Sequence, residues 1–260
     1  MPAIVETAPA RLLRGHDRDR YLLSVFAPAS RRAAIQAIYA FNYEIARIRD
    51  TVSEPVLGQI RLQWWRDGVD EAFGDGSVRR HEVLTPLADA IRHHGLSRDH
   101  FGRLIAARER DLAPDPPENL AALEAYAEES SAPLQLLALE ALGGSGAEAN
   151  CAARDAAIAY ALTGLLRAAP HLKRMQRLPP ILANEPRNVA ARAQLHLDAA
   201  RAVRGRMPRA ALPALWPAVF AAADLARLRR VGFDPFAPPF SRFDPWRAWR
   251  LAAASWLGRY

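Results

Sequence analysis

Apolar residues recur along this chain at three- and four-residue spacing, and alternating strand-like runs of Val, Ile and Thr are nearly absent. The pattern predicts an all-α protein of about ten helices. Ser30 reads as the N-cap of one helix, whose buried face (Ala34, Ile38, Phe41, Ile45, Ile48) continues to the Ser53-Glu54-Pro55 break. A second helix starts at Pro55, carries Leu57, Ile60, Leu62, Trp64 and Trp65, and stops at Gly74-Asp75-Gly76. The same periodicity places further helices over roughly 81–94, 97–112, 119–142, 148–169, 186–206, 210–230 and 243–257.

The breaks at Pro114-Asp115-Pro116-Pro117, Gly143-Gly144-Ser145-Gly146 and Pro179-Pro180 are short turns, not interdomain linkers. One helical domain over 1–260 is therefore expected, with 1–16 as a flexible N-terminal tail. No fixed-period repeat is present. Pro213 and Pro217 interrupt the most apolar stretch, 210–223, which is too short to span a bilayer. Residues 1–14 lack the basic start and apolar core of a secretory signal.

Composition adds modest constraints. Half of the 260 residues are hydrophobic and 24% are charged, which excludes long disorder and fibrous classes. The single cysteine, Cys151, rules out an intrachain disulfide framework and a thiolate zinc site, so a reducing, cytoplasmic setting is expected. The formal charge of +7 would favour anionic partners. Lys173 is the only lysine, however, and the chain is rich in alanine and proline, a bias that leaves most arginines as solvation of helix faces.

The segment Tyr39-Ala40-Phe41-Asn42-Tyr43-Glu44-Ile45-Ala46-Arg47-Ile48-Arg49-Asp50 and the stretches Ile60 to Asp67 and Gly164-Leu165-Leu166-Arg167 resemble the squalene/phytoene synthase superfamily over most of the chain. That resemblance implies an isoprenoid-synthase-type helical domain. In active members two aspartate-rich motifs hold Mg²⁺ ions that bind prenyl diphosphates and stabilise departing diphosphate. Helical residues four apart put both carboxylates on one face, and Mg²⁺ takes hard oxygen ligands.

At the matching positions of the first motif stand Ala46, Arg47 and Asp50, and at those of the second Ala168 and Leu172, so four of five carboxylates are missing. A methyl, an isobutyl or a guanidinium cannot bind Mg²⁺. No metal or cofactor is expected, and Mg²⁺ would enter only if the chain were a divergent prenyltransferase of squalene, phytoene or hopanoid synthesis. Glu44, three residues before Arg47, suggests an ion pair. The resemblance implies a ligand pocket around Tyr39, Phe41, Glu44, Arg47, Asp50 and Arg167, with Asp50 facing Arg167 across the bundle.

The substituted pattern is similar to one non-catalytic branch of the superfamily, which includes the mitochondrial complex I (NADH:ubiquinone oxidoreductase) assembly factor and its bacterial relatives. The matches include Asp50-Thr51-Val52-Ser53-Glu54, Gln63-Trp64-Trp65, Leu166-Arg167-Ala168 and Arg230-Val231-Gly232-Phe233-Asp234-Pro235-Phe236. This implies complex I subunits or an assembly intermediate as partners and a prenyl lipid as a ligand class. Between Pro180 and Arg187 the chain is shorter than family members usually are.

The C-terminal segment joins Trp246, Trp249 and Trp256 to Arg247 and Arg250. Such a helix either lies on an anionic membrane, peripherally on the inner face of the cytoplasmic membrane, or docks its aromatics on the bundle. Nucleic acid is disfavoured as a partner. His81, His93, His94 and His100 lack metal-site spacing and read as surface residues, and Cys151 reads as a small buried hydrophobe. Ser130-Ser131 lies within a helix and is no nucleophile elbow.

Overall fold

The computed structural model describes residues 6–113, 115–242 and 244–260, and it is helical with no strand among them. Fifteen α-helices follow one another: α1 (Ala8–His16), α2 (Arg18–Val25), α3 (Ala29–Ala46), α4 (Ile48–Thr51), α5 (Pro55–Phe73), α6 (Leu84–His94), α7 (Arg98–Arg110), α8 (Leu120–Ala141), α9 (Ala147–Arg174), α10 (Pro180–Asn184), α11 (Pro186–Ala202), α12 (Leu212–Leu215), α13 (Pro217–Arg230), α14 (Pro238–Ser241) and α15 (Arg247–Leu257).

Local chemistry sets many of these limits. Thr7 Oγ1 accepts from the Ala10 N–H at the start of α1, Asp17 Oδ1 from Arg20 N–H at α2, and Asn119 Oδ1 from Ala122 N–H at α8. Gly95 (φ 60°) and Gly258 (φ 62°) close α6 and α15 in the left-handed region. Long α9 is the axis of the bundle and packs most extensively on α8, α11 and α13. Its inward alanines (Ala149, Ala152, Ala153, Ala156, Ala159) are buried and admit close helix approach. On the other side of the core, Phe41 of α3 sits edge-on to both Trp65 and Phe101, with ring centroids 5.4 Å apart in each case.

The structure corrects several expectations. Residues 8–16, read as a flexible tail, form α1, with Leu13 fully buried. Ser30 lies inside α3, whose N-cap is Pro28 with no side-chain bond, and the helix breaks at Arg47 before the short α4. Helix α9 runs past Pro170, which forfeits one backbone bond, and ends in a turn where Gln176 takes φ 54°. The Gln176 and Arg177 N–H groups donate to the Lys173 and Leu172 carbonyls, a Schellman closure with glutamine where glycine is usual. The helix expected over 210–230 splits at Trp216–Pro217 with a 43° bend. No single described helix is long and apolar enough to cross a membrane, and the apolar side chains Leu212, Leu215, Phe220 and Leu228 of this bent pair are buried in the bundle. Cys151 is exposed. His81, His94 and His100 are half-buried, and of the four histidines only His93 is exposed. Pro114 and Phe243, the first residues of an expected turn and of an expected helix, lie outside the described residues.

Two polar clusters tie the helices together. In the first, Arg247 of α15 is fully buried and donates to both Asp224 carboxylate oxygens (2.8 and 2.7 Å), and its other nitrogen lies 2.9 Å from Asp19. Arg167 of α9 bridges the same carboxylates at 2.9 and 3.1 Å, and Tyr160 donates to Asp19. Burial pushes the Asp224 carboxyl up, while the guanidiniums of Arg167 and Arg227 pull it down. In the second cluster, His196 of α11 bonds Asp155 of α9 through Nδ1 and Glu124 of α8 through Nε2, both at 2.8 Å. Hydrogen bonding to Asp155 is the leading cause of its raised pKa.

Removing one member of the first cluster leaves buried charge poorly compensated. Arg247→Met is expected to cost about 3 kcal/mol in urea unfolding, and Asp224→Leu combined with Arg247→Met less than the sum of the single changes. Because His196 has a folded-state pKa above its unfolded value, its stabilisation is complete below about pH 6.5 and fades as pH rises through the folded value. Urea midpoints of the wild type and His196→Gln should therefore differ most in acid, by roughly 1–2 kcal/mol, and converge in alkali.

Candidate functional site

A cleft of about 710 Å³ opens between the end of α3, the turn joining α7 to α8, and the end of α9. Ala46, Leu123, Tyr126, Leu165, Leu172 and Leu178 contribute apolar or aromatic wall. The sequence places these residues there by helical spacing: Leu165 and Leu172 fall two turns apart on α9, and the Schellman turn after it swings Arg177 and Leu178 back across the opening.

Nine charged side chains also line the cleft: Arg49, Arg108, Arg110 and Arg177 against Asp50, Asp111, Asp115, Glu118 and Glu129. Most are already paired. Arg177 Nη1 donates to Asp50 at 2.6 Å, Arg108 meets Asp111 at 3.0 Å, and Arg110 contacts Glu129. Arg49 is the one of the four arginines with no carboxylate partner among the described residues. Arg108 also reaches Asn42 Oδ1 and the Ser130 carbonyl at 3.4 Å, and its Nε is buried without a partner among the described residues. Burial pushes the Tyr126 phenol above its usual pKa.

The residues expected in a ligand pocket are dispersed. Asp50 lines the large cleft, as do Ala46 and Leu172 of the two degenerate motifs, whereas Ala168 does not. Glu44 and Arg47 form the anticipated ion pair (3.4 Å) and line a separate pocket of about 270 Å³ with Trp64, Trp65 and His81. Tyr39 and Phe41 are core residues: the Tyr39 hydroxyl accepts from Gln135, and burial raises its pKa. Arg167 does not face Asp50. Two nearer carboxylates, Asp19 and Asp224, hold it in the buried cluster, and Asp50 is exposed at the mouth with Arg177. Both motif helices thus border one cleft, with Arg47 and Arg167 held outside it and Asp50 paired with Arg177 at its mouth.

The cleft residues that spacing did not reveal are Arg49, Arg108, Tyr126 and Arg177. Arg108 and Tyr126 lie on either side of the α7–α8 turn, so only the tertiary path brings them opposite α3. The i,i+3 relation of Arg108 to Asp111 was the one local signal available.

The donor set does not suit Mg²⁺. Among the described residues no group of three or more His, Cys, Asp or Glu side chains could hold a metal ion. Asp50 is the one acidic residue left at the five motif positions, and it is neutralised by Arg177.

The sequence profile of squalene/phytoene synthases matches residues 13–180. The chain is 32% identical to a Rattus norvegicus protein named NADH dehydrogenase (ubiquinone) complex I, assembly factor 6, over 96% of this chain and 81% of that one. Among solved structures it resembles squalene synthase HpnC from Alicyclobacillus acidocaldarius (TM-score 0.76, 21% identity, covering 88% of this chain and 94% of that one). It also resembles a dehydrosqualene synthase crystallised with ligand (TM-score 0.80, 17% identity, covering 97% and 96%). A helical bundle with two motif helices bordering one cleft, matched by the profile over well more than half of its length, belongs to the squalene/phytoene synthase family.

Proposed function

We propose that this chain is a non-catalytic member of the family, one that works by binding and takes part in assembling the respiratory NADH dehydrogenase, complex I. The observation that carries the first half is the cleft's donor set. Alanine, arginine and leucine stand where metal-binding carboxylates would be needed, and the remaining Asp50 is engaged by Arg177 at 2.6 Å. Four guanidiniums against five carboxylates give a diphosphate no net attraction. The apolar wall from Ala46 to Leu178 suits a lipid chain or an apolar segment of a partner instead.

The second half rests on similarity to proteins named as complex I assembly factors, which extends over nearly the whole chain. A prenyltransferase reading has shared fold behind it, and fold is compatible with many activities.

The test is genetic and biochemical. A strain lacking this protein should lose membrane NADH dehydrogenase activity while keeping succinate dehydrogenase, and Asp50→Ala should restore it as well as the wild type does. Normal NADH dehydrogenase accompanied by loss of a long-chain isoprenoid product would overturn the proposal, as would failure of a folded Asp50→Ala variant to restore activity.

A further inference from the structure

Charge is unevenly distributed along the chain. Residues 201–260 hold 11 arginines and three aspartates, a net of +8, whereas residues 1–200 sum to −1. The excess positive charge of the protein therefore resides in its last quarter. Two of the three aspartates there are buried and already paired, Asp224 with Arg247 and Arg167, and Asp244 with Arg250. Arg209, Arg242 and Arg259 are exposed and have no carboxylate partner among the described residues.

The same region presents an unusual apolar face. Helix α15 buries Arg247, Leu251 and Ala254 against the bundle. On its opposite side Trp246, Trp249, Trp256 and Leu257 are 61, 71, 87 and 51% exposed. Spacings of three, seven and eleven residues put these four on one stripe. Sequence proximity groups Arg247 with the tryptophans on one surface, and the structure separates them: the arginine is the anchor and the tryptophans face outward. Exposed indoles are costly in water, and their amphipathic rings suit the boundary between headgroups and acyl chains.

The stripe continues into a notch of about 230 Å³ where Trp256 meets Phe26, Pro28, Leu212, Pro213 and Trp216, with Arg209 at the same notch. The Arg209 guanidinium and the end of the aromatic stripe thus share one notch, and Arg259 follows two residues after the helix. A helix without an acidic residue, with Trp249 and Trp256 outward, Trp246 at its N-cap and Arg209 and Arg259 nearby, matches the chemistry of an interfacial helix on an anionic bilayer. A protein partner would need a complementary acidic and apolar groove.

We infer that α15 docks this protein peripherally on an anionic membrane, with Trp246, Trp249, Trp256 and Leu257 entering the interface and Arg209, Arg242 and Arg259 contacting lipid phosphates. The inference stands apart from the cleft and from any role in assembly. Its anchor is the buried Arg247–Asp224 pair, which fixes the helix so that the stripe points away from the core.

Vesicle co-sedimentation of the full chain tests it, using phosphatidylcholine vesicles with and without phosphatidylglycerol and following tryptophan emission. The expected result is binding only to the anionic vesicles, a blue shift on binding, and weakening as salt is raised. Trp249→Ser with Trp256→Ser, both at exposed sites, should weaken binding about tenfold or more and remove most of the shift. Arg209→Gln, Arg242→Gln and Arg259→Gln together should reduce affinity and flatten the salt dependence; circular dichroism checks that both variants remain folded. No binding at low salt, equal binding to neutral vesicles, or full binding by the folded tryptophan variant would overturn the inference. So would a stable dimer in solution that the tryptophan changes abolish, because the face would then be covered by a second copy.

Discussion

Two carboxylates and two guanidiniums meet where α2, α9, α13 and α15 converge, and the arrangement of this protein follows from how they are satisfied. Asp19 and Asp224 are placed in low-dielectric surroundings by the apolar faces of their own helices, so each requires a cation at hydrogen-bond distance. Arg167 supplies one from the central helix. Arg247 supplies the other from the far end of the chain, with its guanidinium 4.6 Å from the centre of the Phe220 ring. Closing that network brings the C-terminal helix onto the bundle and fixes its rotation. It also holds Arg167 away from the cleft, where a reading from the sequence alone had placed it.

In the cleft, six of the nine charged side chains are tied up in three ion pairs. Family enzymes work by concentrating carboxylates around divalent ions. Here carboxylates and guanidiniums neutralise one another in pairs, Asp50 with Arg177, Asp111 with Arg108 and Glu129 with Arg110. On the proposed non-catalytic reading, such a site retains volume and an apolar wall without a concentrated field for drawing in a diphosphate or stabilising its departure. The unusual backbone at Gln176 contributes directly, because the turn it closes delivers Arg177 to Asp50.

The fold was largely legible because helical periodicity is a local property. The extents of α5 and α8 follow from apolar spacing and from stops such as Gly74, whereas α15 begins at Arg247, four residues after its expected start. Helix α1 was missed because its apolar face is short, with Leu13 as its fully buried side chain. The degenerate motifs could be read directly, since loss of a carboxylate is visible in one sequence. What could not be read was which charge pairs with which. Arg177 lies 127 residues from Asp50 and Arg247 lies 23 from Asp224, and no periodicity links them. For the same reason Arg247 looked like a neighbour of Trp246 on one surface until the tertiary structure turned it inward.

The claim that the cleft cannot carry out metal-assisted ionisation is tested most directly by pyrophosphate release. Purified full chain would be incubated with farnesyl or geranylgeranyl diphosphate and Mg²⁺, beside a dehydrosqualene synthase as positive control. Release no faster than in buffer, unchanged by Asp50→Ala, is expected. Mg²⁺-dependent release approaching the control, and abolished by Asp50→Ala, would contradict it.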